Sequence, residues 1–403
     1  MRDIKNYCET TIVPWCLLGG LSLLSLAGAL LYVIKPEGEQ VFRWLFGIGV
    51  PAGTLLYAWL CFRGSGKFLK PARLLSPALR TSRRFCPALL GIALAFFALS
   101  ILYWFINVVV IGQMPVYPSF QQYITFLVYP CLICVFLFLP SHHLSVLSRV
   151  RIFLDSLIIL TALTTLYYYF ILAPILMEST GTLQAKIVAS IFPEADLVLF
   201  FCLLLVVLRG SETALRPVLI FLGISTMTLF ISHVIHLSEV LSSAYTRFSM
   251  GDAVLFLNSV LTVGAAQTLR RMLDRSEASA EVRSPANIER ADHLYPTERW
   301  KTILPSSLVL AFGLVVFIVW MKGGSKNFPG EILIVYIGAF LVLLLMVLRQ
   351  FLAVYEINRL QSAVRRRNRS LGVLNEQLER LATIDTLTGL PNHRALAYLL
   401  NTE

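Results

Sequence analysis

The chain has 403 residues, of which 57% are hydrophobic and only 14% are charged, and its mean hydropathy is +0.73. This composition excludes an ordinary soluble domain and is typical of a polytopic membrane protein. The net charge of +11 is distributed over many segments between hydrophobic runs instead of forming one patch. We therefore expect membrane lipid as the surrounding partner and no nucleic-acid partner.

Apolar runs long enough to cross a bilayer occur ten times along the chain. A spanning helix needs about 20 mostly apolar residues, because its backbone amides must be hydrogen-bonded within the membrane. The runs cover residues 11–34, 45–62, 89–111, 123–139, 152–177, 187–208, 218–237, 250–268, 303–321 and 332–348. The sequence thus predicts an all-α, polytopic membrane fold with about ten transmembrane helices. The first run is predicted to be a retained span, because a second follows after a short loop.

The basic residues indicate how these spans are oriented. If the amino terminus is cytoplasmic, most of the 34 Lys and Arg residues fall in loops on the cytoplasmic side. Loops rich in Lys and Arg remain in the cytoplasm during insertion. The sequence therefore predicts a multi-pass protein whose N- and C-termini are both cytoplasmic.

The spacing of the runs also predicts a division into segments. Residues 1–268 form an eight-span membrane module, and residues 269–302 form a basic cytoplasmic linker in which Pro285 and Pro296 interrupt any helix. Residues 303–348 supply two further transmembrane helices. The seven cysteines lie in or beside predicted spans, so no disulfide framework is expected.

Six ionisable residues fall within three consecutive predicted spans. They are Glu194 and Asp196 in the sixth span, His233, His236 and Glu239 in the seventh, and Asp252 in the eighth. Such residues are costly in lipid and usually face a protein interior or a water-filled cavity. The sequence places all six in the outward half of the membrane, as candidates for a proton-sensitive cluster or a divalent metal site. The alternative is that they are interhelical hydrogen-bond partners without a sensory role.

Tyrosines form a second feature of the membrane half. Tyr167, Tyr168 and Tyr169 lie toward the outer end of the fifth predicted span. The position predicts an aromatic belt at the membrane boundary. A ligand-stacking site is the alternative.

After the tenth run the helical pattern continues as a heptad repeat without a breaker. The a and d positions are apolar except for Arg367. The apolar members of this seam are Ile357, Leu360, Val364, Leu371, Leu374, Leu378 and Leu381. So narrow a seam predicts a parallel, dimeric signalling coiled coil over residues 349–384, and hence a homodimer. Arg367 is interpreted as a charge at the edge of the seam, or alternatively as a point where the helix register changes.

A short motif follows the heptads. Residues 383–396 read Thr-Ile-Asp-Thr-Leu-Thr-Gly-Leu-Pro-Asn-His-Arg-Ala-Leu, which resembles the opening of a GGDEF domain. This family makes the bacterial messenger cyclic di-GMP from two GTP molecules. The residues that match its pattern are Asp385, Leu387, Thr388, Gly389, Leu390, Asn392 and Arg394. His393 departs from the pattern, because the family usually has Arg there.

The resemblance implies that the complete protein is a diguanylate cyclase of the bacterial inner membrane, which uses GTP and magnesium. Only residues 385–403 belong to that domain, and no Gly-Gly-Asp/Glu-Glu-Phe string occurs in the sequence. We therefore expect no cofactor and no cyclase activity in this chain by itself. The predicted function is a membrane sensor, or input module, of a cyclic di-GMP signalling protein with an unidentified stimulus ligand. An ion-coupled membrane transporter or carrier, with the buried acids as its coupling site, is the alternative.

Overall fold

The structure is a computed structural model of the chain. It describes residues 48, 51–52, 54–56, 58–59, 77–113, 115–139, 146–179, 182–209, 215–242, 250–282, 300–321 and 329–383. Nearly all of these residues are helical, and no strand occurs among them. The predicted all-α fold class is therefore confirmed.

From residue 77 onward, ten α-helices and two π-helical segments follow one another within the described residues. They are α1 (Pro77–Phe105), π1 (Ile106–Ile111), α2 (Phe120–Phe126), α3 (Val128–Phe138), α4 (Val146–Tyr167), π2 (Tyr168–Leu172), α5 (Ala173–Glu178), α6 (Leu183–Arg209), α7 (Arg216–Leu241), α8 (Met250–Val282), α9 (Trp300–Met321) and α10 (Pro329–Thr383).

Six helical stretches of the described residues are long and apolar enough to cross a membrane. They are Phe85–Ile111, Phe120–Phe138, Val146–Met177, Leu183–Arg209, Arg216–Leu241 and Leu333–Leu378. The first five coincide with the predicted third to seventh runs, and the last contains nearly all of the predicted tenth. The eighth and ninth runs form α8 and α9, which are helical but not among the six. The first run and most of the second lie outside the described residues.

A glycine and a proline explain two places where these helices end or widen. Gly112 ends π1 with a φ of 76°, a left-handed conformation that glycine adopts at little cost. Pro174 stands in the first turn of α5, directly after π2. Since proline has no N–H, the regular hydrogen-bond ladder is interrupted there, and the chain accommodates this in the wider π-helical turn.

Helix α6 is central in the described bundle, because it packs against α3, α4 and α7. Helix α7 packs in turn against α8, and α1 packs against α3. The main core contains Leu90, Val135, Leu199, Leu215 and Leu269, each at most 1% exposed. Lipid is as apolar as these side chains, so close packing and interhelical hydrogen bonds hold such a bundle together.

The chain divides into two compact units, Met1–Leu345 and Met346–Glu403. In the second unit the described residues are helical as far as Thr383. The seam side chains described there are each more than half exposed: Ile357, Leu360, Val364, Leu371, Leu374 and Leu378. The side chain of Leu381 and the matching residues 385–394 lie outside the described part of the chain.

Candidate functional site

A buried set of hydrogen bonds joins α3, α6 and α7. The Tyr129 hydroxyl donates to Oδ1 of Asp196 at 2.8 Å, and Nδ1 of His233 lies 2.6 Å from Oδ2 of the same carboxylate. The Tyr129 hydroxyl also lies 3.5 Å from Nδ1 of His233 and 3.4 Å from the carbonyl oxygen of Phe192. Tyr129, Asp196 and His233 are here termed the polar cluster.

The polar cluster is deeply enclosed. Asp196 is 1% exposed, Tyr129 6% and His233 9%. Asp196 lies midway between the ends of α6, Leu183 and Arg209, and so about 20 Å along the helix axis from each. This position is the centre of the helix. A buried carboxyl group is costly unless it is paired, and the contacts with Tyr129 and His233 supply the pairing.

The geometry defines what the polar cluster can do chemically. With Tyr129 donating to Oδ1 and the carboxyl group ionised, Oδ2 of Asp196 would accept from a protonated Nδ1 of His233. The imidazole can then carry a second proton at Nε2 or release it. With this second proton the carboxylate and the imidazole together are net neutral, and without it they carry one negative charge. Two charge states of the cluster are thus compatible with the same hydrogen bonds.

Aromatic rings and a proline shape the surroundings of the polar cluster. The Phe192 ring lies 5.1 Å from the His233 ring at an interplanar angle of 31° and stacks on Phe126 at 4.6 Å. Pro193 follows within α6 and has no N–H to donate to the carbonyl of Ala189. The backbone one turn before Asp196 therefore lacks one helical hydrogen bond.

A second group of polar side chains joins α7 to α8. The Ser225 hydroxyl donates to Oδ1 of Asn258 at 2.5 Å and lies 2.8 Å from Oγ1 of Thr262. Between this group and the polar cluster is a cavity of about 40 Å³, lined in part by Tyr129, His233, Asn258 and Thr262. One water molecule needs about 10–15 Å³ and two to four polar partners. The cavity is thus large enough for a water molecule, and nearly all of its surface is apolar.

The other predicted site residues lie in different surroundings. Glu194 is exposed on α6, and the His236 ring lies 6.0 Å from the ring of Tyr117. Glu239 is near the end of α7, and Asp252 is in the first turn of α8. In the part of the chain that the structure describes, no group of three or more His, Cys, Asp or Glu side chains could hold a metal ion. A metal site at these positions stays a prediction.

Tyr117 lies between two candidate spans, in the segment before α2. Its hydroxyl is buried and finds no hydrogen-bond partner among the described residues. Burial raises the pKa of Tyr117 above the ordinary value of 10.0, because the phenolate would lose its hydration there. The neutral phenol is therefore the form that the folded protein favours.

Tyr129 is not among the site residues that the sequence predicts. It lies inside an apolar run, and the carboxylate that accepts its hydrogen bond is 67 residues away. A tyrosine in such a run is also common as ordinary packing, so no local signal distinguishes it. Its role depends on how α3 packs against α6.

The chain matches no family model, no curated protein and no solved structure.

Proposed function

We propose that the chain is the membrane input half of a bacterial cyclic di-GMP signalling protein. In the complete protein, a stimulus at the membrane would control a cytoplasmic GGDEF domain. The observation that carries this proposal is α10, a helix of 55 residues that ends at Thr383, two residues before Asp385. At 1.5 Å per residue it is about 80 Å long, whereas the hydrocarbon core of a bilayer is about 30 Å thick. One helix thus reaches from an apolar segment to the start of the GGDEF-like motif.

The proposed topology is a protein of the bacterial inner membrane with about ten spans and both termini in the cytoplasm. Six candidate spans among the described residues support the membrane location. The distribution of Lys and Arg supports the orientation.

The proposed output element is a parallel homodimer formed by the heptads of α10. In a single chain the described seam side chains are more than half exposed, and a second copy would cover them. Dimerisation also suits the family reaction, in which two domains each present one GTP molecule. Magnesium and GTP would be bound by the complete GGDEF domain.

A close approach between α4 and α10 supports a route from the bundle to the output helix. A Cβ atom added at Gly338 of α10 would lie 2.6 Å from Cγ2 of Thr165 on α4, and closer still to Oγ1. Such closeness requires a glycine, as is common where membrane helices pack tightly. Helix α4 also packs against α6, which carries Asp196. A displacement of α6 would therefore act on α10 through α4.

The proposed input is a change in protonation or ligand contacts at the polar cluster. Loss of a proton gives the Asp196 and His233 pair a net negative charge in a low-dielectric interior, where uncompensated charge is expensive. The helices can relieve that cost by repacking or by admitting water. Small shifts of packed helices between two arrangements are one known form of allosteric switching.

A chimera tests the proposal. Residues 1–383 are fused to an active GGDEF domain, and cyclic di-GMP is measured across external pH in cells that lack other cyclases. Asp196→Asn keeps the size of the side chain but removes its charge, and His233→Gln removes the titratable ring. We expect both variants to lose pH-dependent output, at equal amounts of membrane protein.

The matched control is Thr268→Val, because the Thr268 hydroxyl donates only along its own helix, to the carbonyl of Gly264 at 2.7 Å. This variant should respond as the wild type does. Superimposable pH curves for wild type, Asp196→Asn and His233→Gln would refute the polar cluster as the input.

An ion-coupled transporter is the second candidate, and the burial of Asp196 at the centre of α6 with its histidine partner favours it. Buried acid and histidine pairs of this kind occur in proton relays. Proteoliposomes containing the chain and an internal pH-sensitive dye distinguish the two functions. Proton flux that Asp196→Asn abolishes would favour the transporter, whereas a chimera that responds without flux would favour the sensor.

A further inference from the structure

Four arginines lie close together in the second compact unit, within helix α10. They are Arg365, Arg366, Arg367 and Arg369, termed here the arginine band, and each of them is exposed. At 1.5 Å per residue the band occupies about 6 Å of the helix axis. So many like charges on one helix are destabilising unless opposite charges lie nearby.

No carboxylate of α10 is placed to neutralise the arginine band. Acidic and basic side chains pair along a helix when they are three or four residues apart. Residues 357–375 contain no Asp or Glu, so Glu356 and Glu376, on either side, are both beyond that spacing from the band. The helix itself therefore leaves the charge of the band uncompensated.

The heptad repeat gives Arg367 a particular position within the band. It is a d position of the seam, and equal d positions face each other in a parallel pair of helices. The nearest e and g positions are Ala363, Asn368 and Ser370, none of which has a carboxylate. A dimer of α10 thus brings two guanidinium groups together at the seam without an acidic partner from either chain.

The chemistry of arginine favours a phosphate-bearing partner at this place. The guanidinium group is planar and presents paired N–H donors that match two oxygens of one phosphate group. A polyphosphate over the seam could accept from both Arg367 side chains and would replace their repulsion by charge-assisted hydrogen bonds. The other arginines of the band add to the positive potential that attracts such an anion.

The position of the band along α10 indicates which phosphates can reach it. The apolar run of α10 ends at Leu348, and Arg367 lies further along the helix by about 28 Å. At physiological ionic strength exposed charges are screened over about 8 Å. Lipid headgroups are therefore too distant to neutralise Arg367 on a helix that continues straight out of the membrane, whereas a soluble anion reaches it freely.

We propose that the arginine band binds a soluble polyphosphate, of the inorganic or nucleoside triphosphate class, which bridges two copies of α10 and strengthens their pairing. This site rests on the parallel dimer of the proposed function. It gives that dimer a regulator, because the two copies pair tightly only when the anion offsets the charges at the seam.

Cross-linking of the full chain in an uncharged detergent tests the site. The protein is cysteine-free except for Leu374→Cys, and a short bismaleimide reports the fraction of paired chains over a range of protein concentrations. Inorganic triphosphate is compared with sodium chloride at equal ionic strength. We expect triphosphate to lower the concentration at half-maximal cross-linking about tenfold, which is the effect of one hydrogen bond to a charged group.

Two further substitutions in the Leu374→Cys chain assign the effect to the seam. Arg367→Leu restores an apolar d position, so these chains should pair at lower concentration without triphosphate and should gain little from adding it. Arg359→Gln is the matched control, because it removes one positive charge from α10 at a position outside both the band and the seam. Its response to triphosphate should equal that of the Leu374→Cys chain.

The outcomes separate the site from the dimer. Equal cross-linking of the Leu374→Cys chain in triphosphate and in sodium chloride would overturn the site and leave the dimer standing. Failure to cross-link in either solution would overturn the dimer and the site together. A full response in Arg367→Leu would show that triphosphate acts elsewhere on the chain.

A lipid arm identifies the source of the phosphate. The same cross-linking is measured without triphosphate in nanodiscs of phosphatidylcholine, with and without phosphatidylglycerol. We expect no difference between the two lipid compositions. Stronger cross-linking in the presence of phosphatidylglycerol would assign the arginine band to lipid headgroups and overturn the soluble ligand.

Discussion

The close contact between α4 and α10 makes a specific prediction for Gly338→Ala. The new Cβ atom would lie 2.6 Å from Cγ2 and 2.9 Å from Cβ of Thr165, and real Cβ contacts essentially never fall under 3.0 Å. One of the two helices must therefore move. Overpacking of this kind costs about 1–3 kcal/mol. We expect that loss in the free energy of unfolding, measured against a matched glycine substitution.

The matched control is Gly372→Ala, because a Cβ added at Gly372 meets nothing within 4 Å. It lies in the same helix, α10, so both substitutions share the gain of about 1 kcal/mol that alanine has over glycine in a helix. The assay is titration with SDS in mixed micelles, followed by tryptophan fluorescence. The difference between the two variants then reports the contact alone.

A second substitution in Thr165 identifies the contact as the cause. Thr165→Ala removes Cγ2 and Oγ1, the two nearest atoms, and should restore most of the stability lost in Gly338→Ala. Thr165→Ser should restore little of that stability. The serine hydroxyl can keep the 2.7 Å hydrogen bond to the carbonyl of Thr161, and its oxygen then still clashes with the new Cβ atom at position 338. If Gly338→Ala changes the free energy of unfolding no more than Gly372→Ala does, the contact is refuted, and with it the proposed route from α4 to α10.

Three further outcomes are expected. Asp196→Ala leaves two buried donors without an acceptor and should lower the free energy of unfolding by about 3–5 kcal/mol, whereas Tyr129→Phe should lower it by about 1–2 kcal/mol. If the SDS titration gives equally small losses of stability for both variants, the polar cluster is contradicted. Single cysteines in a cysteine-free chain should cross-link between protomers more readily at Leu374 than at Glu376, and equal yields would argue against the heptad seam. The pKa of Tyr117 is raised in the folded protein. Its contribution to the free energy of unfolding is therefore complete below the unfolded-state pKa of 10.0 and is lost as the pH rises toward the folded-state pKa. Tyr117→Phe should therefore lose less stability at alkaline pH than the wild type and should be as stable at neutral pH. If wild type and variant lose stability equally at alkaline pH, the buried position of the Tyr117 hydroxyl is contradicted.

The helices themselves were largely predictable from the sequence. The run predicted at 187–208 is α6, Leu183–Arg209, and that at 218–237 is α7, Arg216–Leu241. An apolar run is a local property, and the bilayer permits few structures other than a helix. The predicted ends fall short by a few residues because backbone hydrogen bonding continues past the point where side chains become polar.

The site was less predictable, because its geometry depends on packing between distant segments. The sequence identifies Asp196 and His233 as candidates, since ionisable residues are rare in spans. It does not pair them with each other or with Tyr129, because their distances follow from how α3, α6 and α7 pack. The need for glycine at 338 is likewise visible only when Thr165 is seen opposite it.

The central claim is the proposal that the membrane helices control a cyclic di-GMP domain through α10, whose heptad seam must keep its face toward a second copy. Insertion of helical residues after Arg369 in the chimera tests this most directly. Five residues rotate the downstream helix by about 140°, whereas seven return the seam to within about 20° of its original face. The account predicts that seven inserted residues preserve pH-dependent cyclic di-GMP output and that five abolish or invert it. Equal output from the two insertions, at equal expression, would contradict it.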